Sequence, residues 1–203
     1  MTGTSTQSLS GIILAGGKSS RMGQDKRFIE LGGRTLLDRS LEVFESLFSE
    51  ILVVVAEATP QLADLTHRVV TDLIPGCATL GGLYTGLSYA SSSRVFAAAC
   101  DMPFLNPKVV EYLVTIDPMA DVVMVRLATG LQPLHAVYSK RCLPILERMA
   151  RGGNLTLHEI TDAEALSVRL IPEDELRSLD PHLLSFLNLN SPADLELARK
   201  LVR

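Results

Sequence analysis

Leu14-Ala15-Gly16-Gly17-Lys18-Ser19-Ser20-Arg21-Met22-Gly23-Gln24-Asp25-Lys26 runs on directly from the apolar stretch Gly11-Ile12-Ile13-Leu14. The apolar stretch reads as a buried first strand. Behind it, Gly16, Gly17 and Gly23 strip side chains from the turn, so backbone N–H groups can approach an anion closely. Lys18, Arg21 and Lys26 place three cations within the same thirteen residues. A glycine turn at a strand's carboxyl end, loaded with fixed positive charge, suits a nucleoside triphosphate. Spacing excludes two better-known phosphate loops. A P-loop needs Gly-Lys-Ser/Thr four residues after its first glycine, whereas Gly17 and Gly23 enclose five residues and Gln24 follows. A dinucleotide fingerprint needs Gly-x-Gly-x-x-Gly, which Gly16-Gly17 does not supply.

Outward from this loop, apolar runs alternate with helical patterns. Residues 37–48 carry Leu37, Leu41, Phe44, Leu47 and Phe48 on one helical stripe. Residues 51–55 form a continuous apolar, largely β-branched run, as in a strand buried on both faces. Further strands are expected at 67–71, 95–99, 121–125 and 134–138, and helices at 83–90, 107–114 and 141–150. Ser191-Pro192-Ala193-Asp194 combines an N-cap serine, a first-turn proline and an acid, marking a last helix over 192–202. Strands alternating with helices imply parallel pairing with right-handed crossovers. The expected fold is therefore α/β: a single-domain, Rossmann-like three-layer sandwich with a mostly parallel sheet over residues 9–203. Residues 1–8 are polar and read as a disordered tail.

Bulk properties narrow the function classes. The 203 residues are 47% hydrophobic and 21% charged, ordinary for a globular domain. A formal net charge of −4 argues against nucleic acid as a partner and makes the basic loop stand out as a site for a small anion. No run approaches a membrane span, and the amino terminus lacks the basic and apolar regions of a secretory signal. Cys77, Cys100 and Cys142 are odd in number and far apart, which fits reduced thiols and a cytoplasmic protein.

A second informative string is Cys100-Asp101-Met102-Pro103-Phe104-Leu105. Asp101 ends an apolar strand, where burial disfavours its charged form. A magnesium ion held by one carboxylate plus substrate phosphates would offset that cost, while a plain helix cap or turn would also suit an aspartate there. Pro103 should hold Met102 extended and keep the strand end straight past the acid. Thr71-Asp72 ends the third strand, where Asp72 reads either as a turn cap or as an acceptor facing a ligand. Gly76-Cys77-Ala78-Thr79-Leu80-Gly81-Gly82-Leu83 reads as a second glycine turn. In Leu187-Asn188-Leu189-Asn190, strand-like alternation would point both amides one way.

The Leu-Ala-Gly-Gly opening with Ser20-Arg21-Met22-Gly23-Gln24-Asp25-Lys26 resembles nucleotidyltransferases, and molybdenum cofactor guanylyltransferases most of all. Cys100-Asp101-Met102-Pro103, the Gly76–Leu83 turn, Gln132-Pro133-Leu134-His135 and the Asn188/Asn190 segment extend the resemblance over most of the chain. The resemblance implies transfer of GMP from GTP to the phosphate of molybdenum-bearing molybdopterin, releasing pyrophosphate. It implies Arg21, Lys26 and Asp101 as catalytic residues, Asp101 as ligand of Mg2+, and Leu14, Ala15, Gly16, Gly17, Lys26, Asp72 and Asp101 around the nucleotide. Asp72 would meet guanine N1–H and the 2-amino group, or a ribose hydroxyl. Asn188 and Asn190 fall to the acceptor side. Direct handover from a molybdenum insertase and to a recipient molybdoenzyme or its chaperone is also implied.

Two departures bear on specificity. Thr79 stands where the family has proline, and Ala56-Glu57-Ala58-Thr59 lacks the asparagine the family carries near the guanine. The alternatives are a related cytidylyltransferase or sugar-phosphate nucleotidyltransferase, and a nucleotide-binding regulator that has lost the chemistry. The intact Arg21, Lys26 and Asp101 speak against the regulator.

Overall fold

The apolar stretch that opens the chain becomes β1 (Ser10–Leu14), buried along its whole length, in a computed structural model that describes residues 9–16 and 25–202. Loop residues Gly17, Lys18, Arg21 and Gly23, and the expected tail over 1–8, lie outside the described residues. β1 runs parallel between β4 (Glu50–Val55) and β6 (Arg94–Ala99), and β5 (Arg68–Thr71) extends the sheet beyond β4. On the far side β8 (Gly130–Ser139) pairs antiparallel with both β6 and β7 (Val122–Leu127), and β9 (Val168–Pro172) closes that edge parallel to β7. The sheet order is β5-β4-β1-β6-β8-β7-β9, a mostly parallel seven-stranded sheet.

Alternating residues of the buried strands feed two cores. Ile13, Val53, Phe96 and Ala98 pack under α1 (Leu36–Leu47) and α3 (Pro107–Thr115). Ile12, Leu52, Val54, Val95 and Ala97 pack under α2 (Ala78–Tyr89) and α4 (Leu143–Arg151). The result is the expected three-layer sandwich. α2 lies tight on β1: a methyl group on Gly86 would fall 2.6 Å from Ile12 Cδ1. A smaller third core joins the hairpin of β2 (Glu30–Leu31) and β3 (Arg34–Thr35) to the last helix, through Leu31, Leu36, Leu189, Leu195 and Ala198. That helix, Pro192–Leu201, follows the short α5 (Glu173–Leu176) and is named α6. Its capping box is formed as the sequence implied, the Ser191 hydroxyl accepting from Asp194 N–H and the Asp194 carboxylate from Ser191 N–H.

Three local expectations are corrected, and one strand had no counterpart among them. β7 and β8 form a hairpin, because the two residues between them cannot make the crossover that parallel pairing needs. α2 begins at Ala78, so Gly81 and Gly82 lie inside a helix and not in a turn. The chain does not run straight past Asp101: β6 ends at Ala99, and Met102 N–H turns back to the Ala99 carbonyl at 3.3 Å. β9 has no counterpart in the pattern reading, since its alternation over Val168–Pro172 is short and its faces are only partly buried.

Candidate active site

The carboxyl ends of β5, β4, β1 and β6 lie side by side, and the chain leaves them in opposite directions from β1 and β6. Such a switch point opens a crevice beyond the strand ends. Backbone pairing continues just past each strand: Ala15 N–H donates to the Val54 carbonyl at 2.8 Å, Asp72 N–H to Val55 at 2.9 Å, and Cys100 N–H to Leu14 at 3.1 Å. These bonds hold the post-strand residues in a row, Asp72, Glu57, Gly16 and Asp101, each from a neighbouring strand. Above them is a cleft of about 610 Å³ lined by Leu14, Ala15, Gly16, Lys26, Asp72 and Asp101, among others. Six of the ten expected site residues thus share one cavity. Gly17 and Arg21 lie outside the described residues.

Lys26 spans the crevice. Its ammonium donates to Asp101 Oδ2 at 3.0 Å and to Asn190 Oδ1 at 2.9 Å. Both members of the Lys26–Asp101 pair are mostly covered, their side chains 19% exposed. Lys26 reaches this place from a single 3₁₀ turn over Lys26–Phe28, capped by the Asp25 carboxylate. Asp25 also takes the Arg27 guanidinium through both its oxygens. The Arg27 side chain beside it holds the Asp25 carboxyl below the usual range, and Asp25 raises Arg27 in return. Arg27, buried and at the cleft wall, escaped the sequence reading. An Asp-x-Arg spacing at a turn was the available signal.

The carboxyl-terminal segment supplies the other side of the crevice. Leu189 N–H donates to the Asp101 carbonyl at 2.9 Å, and this bond carries Asn190 to Lys26. Asn188 instead donates to the Phe186 carbonyl at 3.4 Å, so the two amides have separate partners. The segment is seated by Phe186, whose ring centroid lies 4.5 Å from that of His135, and by Asp180, which accepts from Leu184 and Ser185 N–H. His135, in β8 opposite Ala98, is fully buried and also meets Phe96 edge-on. Neither ring nitrogen finds a well-formed hydrogen bond. Burial pushes the imidazole pKa down to about 4, against opposing pulls from the Ser185 backbone and Asp180, so it is neutral at physiological pH. His135 is a packing residue.

Asp72 both caps and faces the cleft. Its Oδ1 accepts from Ile74 N–H at 3.1 Å and from the Thr85 hydroxyl at 3.0 Å. A methyl on Gly81 would sit 2.7 Å from Asp72 Oδ2, which is why α2 carries glycine there. α2 itself starts without a side-chain cap at Cys77, and Ala78 and Thr79 of its first turn line the cleft. The Cys100 thiol, next to Asp101, is pushed up to about 12 by burial and stays protonated, so it offers no nucleophile.

The oxygen set at Asp101 fits a hard divalent cation. One carboxylate and the nearby Asn190 amide oxygen converge on a single cationic group, the Lys26 ammonium. Among the described residues no cluster of three or more His, Cys, Asp or Glu side chains gathers. A metal ion bound here would draw its remaining ligands from phosphate oxygens and water, as magnesium does. No helix among the described residues is long and apolar enough to cross a membrane.

Residues 11–165 match the family described as the MobA-like NTP transferase domain. The molybdenum cofactor guanylyltransferase of Desulfosudis oleivorans is 36% identical over 197 residues, covering 96% of each protein. The enzyme of the same name from Syntrophotalea carbinolica is 34% identical over 195 residues, covering 94% of this chain and 90% of its own. Among solved structures, molybdopterin-guanine dinucleotide biosynthesis protein A from Archaeoglobus fulgidus superposes with a TM-score of 0.84 at 26% identity, covering 95% of this chain and 98% of its own. A 2-C-methyl-D-erythritol 4-phosphate cytidylyltransferase from Thermus thermophilus shares the fold at a TM-score of 0.72 and 18% identity, covering 97% of this chain and 100% of its own. With a match across most of its length and relatives of this identity, the chain belongs to the MobA-like NTP transferase family.

Proposed function

We propose that this chain is a magnesium-dependent guanylyltransferase that moves GMP from GTP to the terminal phosphate of molybdenum-bearing molybdopterin. The observation that carries the reading is the meeting of Lys26 and Asp101 across the strand-end cleft, with Gly16 and Asp72 along the same wall. The guanylyltransferase names of relatives that match nearly end to end support the choice of substrates.

The acceptor phosphate attacks the α-phosphorus of GTP in line. The new P–O bond forms as the α–β bridging bond breaks, and pyrophosphate leaves with the electron pair. A phosphate nucleophile is already ionised near neutrality, so positioning and charge neutralisation outweigh acid–base chemistry. Lys26 and Arg21 grip the triphosphate, Lys26 exchanging Asp101 and Asn190 for phosphate oxygens as the nucleotide enters. Asp101 is the protein ligand for magnesium, which when bound offsets charge on the phosphoryl oxygens. Leu14, Ala15 and Gly16 present backbone to the nucleoside, and Gly17 is assigned to the same nucleotide-binding set. Asn188 and Asn190 stand on the acceptor side. The reaction belongs in the cytoplasm, with handover from a molybdenum insertase and to a recipient molybdoenzyme or its chaperone.

Calorimetric titration with GTP, CTP and ATP, with and without magnesium, tests the substrate. Magnesium-dependent binding that favours GTP is the expected result; preference for CTP would move the chain to the cytidylyl branch. Asp101→Ala should keep its melting behaviour yet lose turnover on the order of 10²–10³-fold. Retained turnover would remove Asp101 from the metal site.

A further inference from the structure

Among the described residues four carboxylates line the cleft: Asp25, Glu57, Asp72 and Asp101. Three of them are engaged within the protein. Asp25 holds Arg27, Asp101 holds Lys26, and Asp72 Oδ1 takes Ile74 N–H and the Thr85 hydroxyl while its other oxygen lies where a methyl on Gly81 would meet it. Among the described residues Glu57 makes no hydrogen bond and no ion pair, and its side chain is exposed. It follows β4 by two residues, next to Gly16, where the nearest atom to an added methyl would be Ala56 N at 3.4 Å. The cleft's charges are thus unevenly spread along its length. Among the described residues its cations, Lys26 and Arg27, gather at the Asp101 end, where each is paired with an acid. Unpaired negative charge lies at the β4 end, two strand spacings or roughly 10 Å from Asp101.

A nucleotide whose phosphates meet Lys26 therefore extends its base toward Glu57. An ionised carboxylate is an acceptor with two oxygens and no donor. Guanine alone among the common bases offers it two adjacent donors, N1–H and the 2-amino group. Adenine and cytosine set an amino group beside a ring acceptor, which would face a carboxylate lone pair unpaired. We infer that Glu57 is the residue through which this chain selects guanine, its two oxygens accepting the N1 and 2-amino hydrogens together. The inference rests on the guanylyl reading above and adds the atom-level source of its base preference.

Glu57→Gln provides the test, because it changes the hydrogen-bonding code while an exposed, unpaired site leaves the fold intact. Glutamine presents one acceptor and one donor, which suits xanthine, where a 2-oxo group replaces the 2-amino group beside N1–H. GTP and xanthosine triphosphate would be titrated calorimetrically, with magnesium, into the wild-type protein, Glu57→Gln and Asp72→Asn. The wild type should bind GTP tighter by roughly 10- to 100-fold. Glu57→Gln should lose a similar factor for GTP and come to prefer xanthosine triphosphate. If Glu57→Gln keeps the wild-type preference, the inference is wrong, and inversion in Asp72→Asn would move the base contact to Asp72. A wild-type protein with no preference for GTP would overturn the guanylyl reading itself, and this inference with it.

Discussion

Replacing His135 by leucine should remove a pH dependence that the fold builds into β8. The imidazole is fully buried between Phe96 and Phe186, and burial takes its pKa from the ordinary 6.5 to about 4. Between those two values the unfolded chain binds a proton that the folded chain refuses. Stability therefore falls as pH drops through that window and is unaffected by this group above it. Each unit is worth about 1.4 kcal/mol, so the penalty reaches about 2 kcal/mol near pH 5 and about 3 kcal/mol near pH 4. Against a total stability of roughly 5–15 kcal/mol, that is large enough to measure. Leucine has nearly the same volume, so a modest repacking cost is expected at neutral pH. The assay is urea unfolding of both proteins at about pH 7 and about pH 5, with stability extrapolated to water. His135→Leu should lose about 2 kcal/mol less than the wild type over that interval. Equal losses in the two proteins would refute the argument, since His135 would then be protonated or solvated in the folded state. The consequence reaches the site, because Phe186 leans on this ring while its segment carries Asn190 to Lys26.

Two further substitutions probe the surroundings of the cleft. Gly81→Ala would drive a methyl to 2.7 Å from the Asp72 carboxylate and 3.0 Å from the Ile74 carbonyl. The helix-propensity gain of about 1 kcal/mol falls short of an overpacking cost of about 1–3 kcal/mol. Thermal unfolding should show the net loss, and GTP titration a weaker complex as Asp72 is displaced. Ser191→Ala removes half of the α6 capping box and should cost about 1 kcal/mol, roughly 2–4 °C in Tm. An unchanged Tm would mean that the α6 terminus gains nothing from its cap.

Local chemistry was readable wherever it is written within a few residues. The burial of β1 and the cap of α6 each follow from periodicity and N-cap preferences. The acid at 101 was legible because an aspartate directly after an apolar strand is out of place unless something pairs with it. Failures came where a local pattern has two solutions. Gly81-Gly82 resembles a turn in isolation, yet it is helical because α2 must pass close to Asp72 and, at Gly82, to Leu14. Leu134–Tyr138 resembles any buried strand, and its antiparallel direction depends on a connection of two residues.

The composition of the site was decided in three dimensions. Lys26, Asp101 and Asn190 are separated by up to 164 positions in the chain and meet because sheet order sets β1 beside β6. The third core then folds α6 back over the β2–β3 hairpin. The burial of His135, the pairing of Asp25 with Arg27 and, among the described residues, the unpaired state of Glu57 are likewise outcomes of packing. Residue type and spacing specify which backbone conformations and which faces are favourable, because those terms are local. Which side chains face one another depends on the long-range order of strands and on burial shared among distant segments, and that is where the sequence pattern is silent.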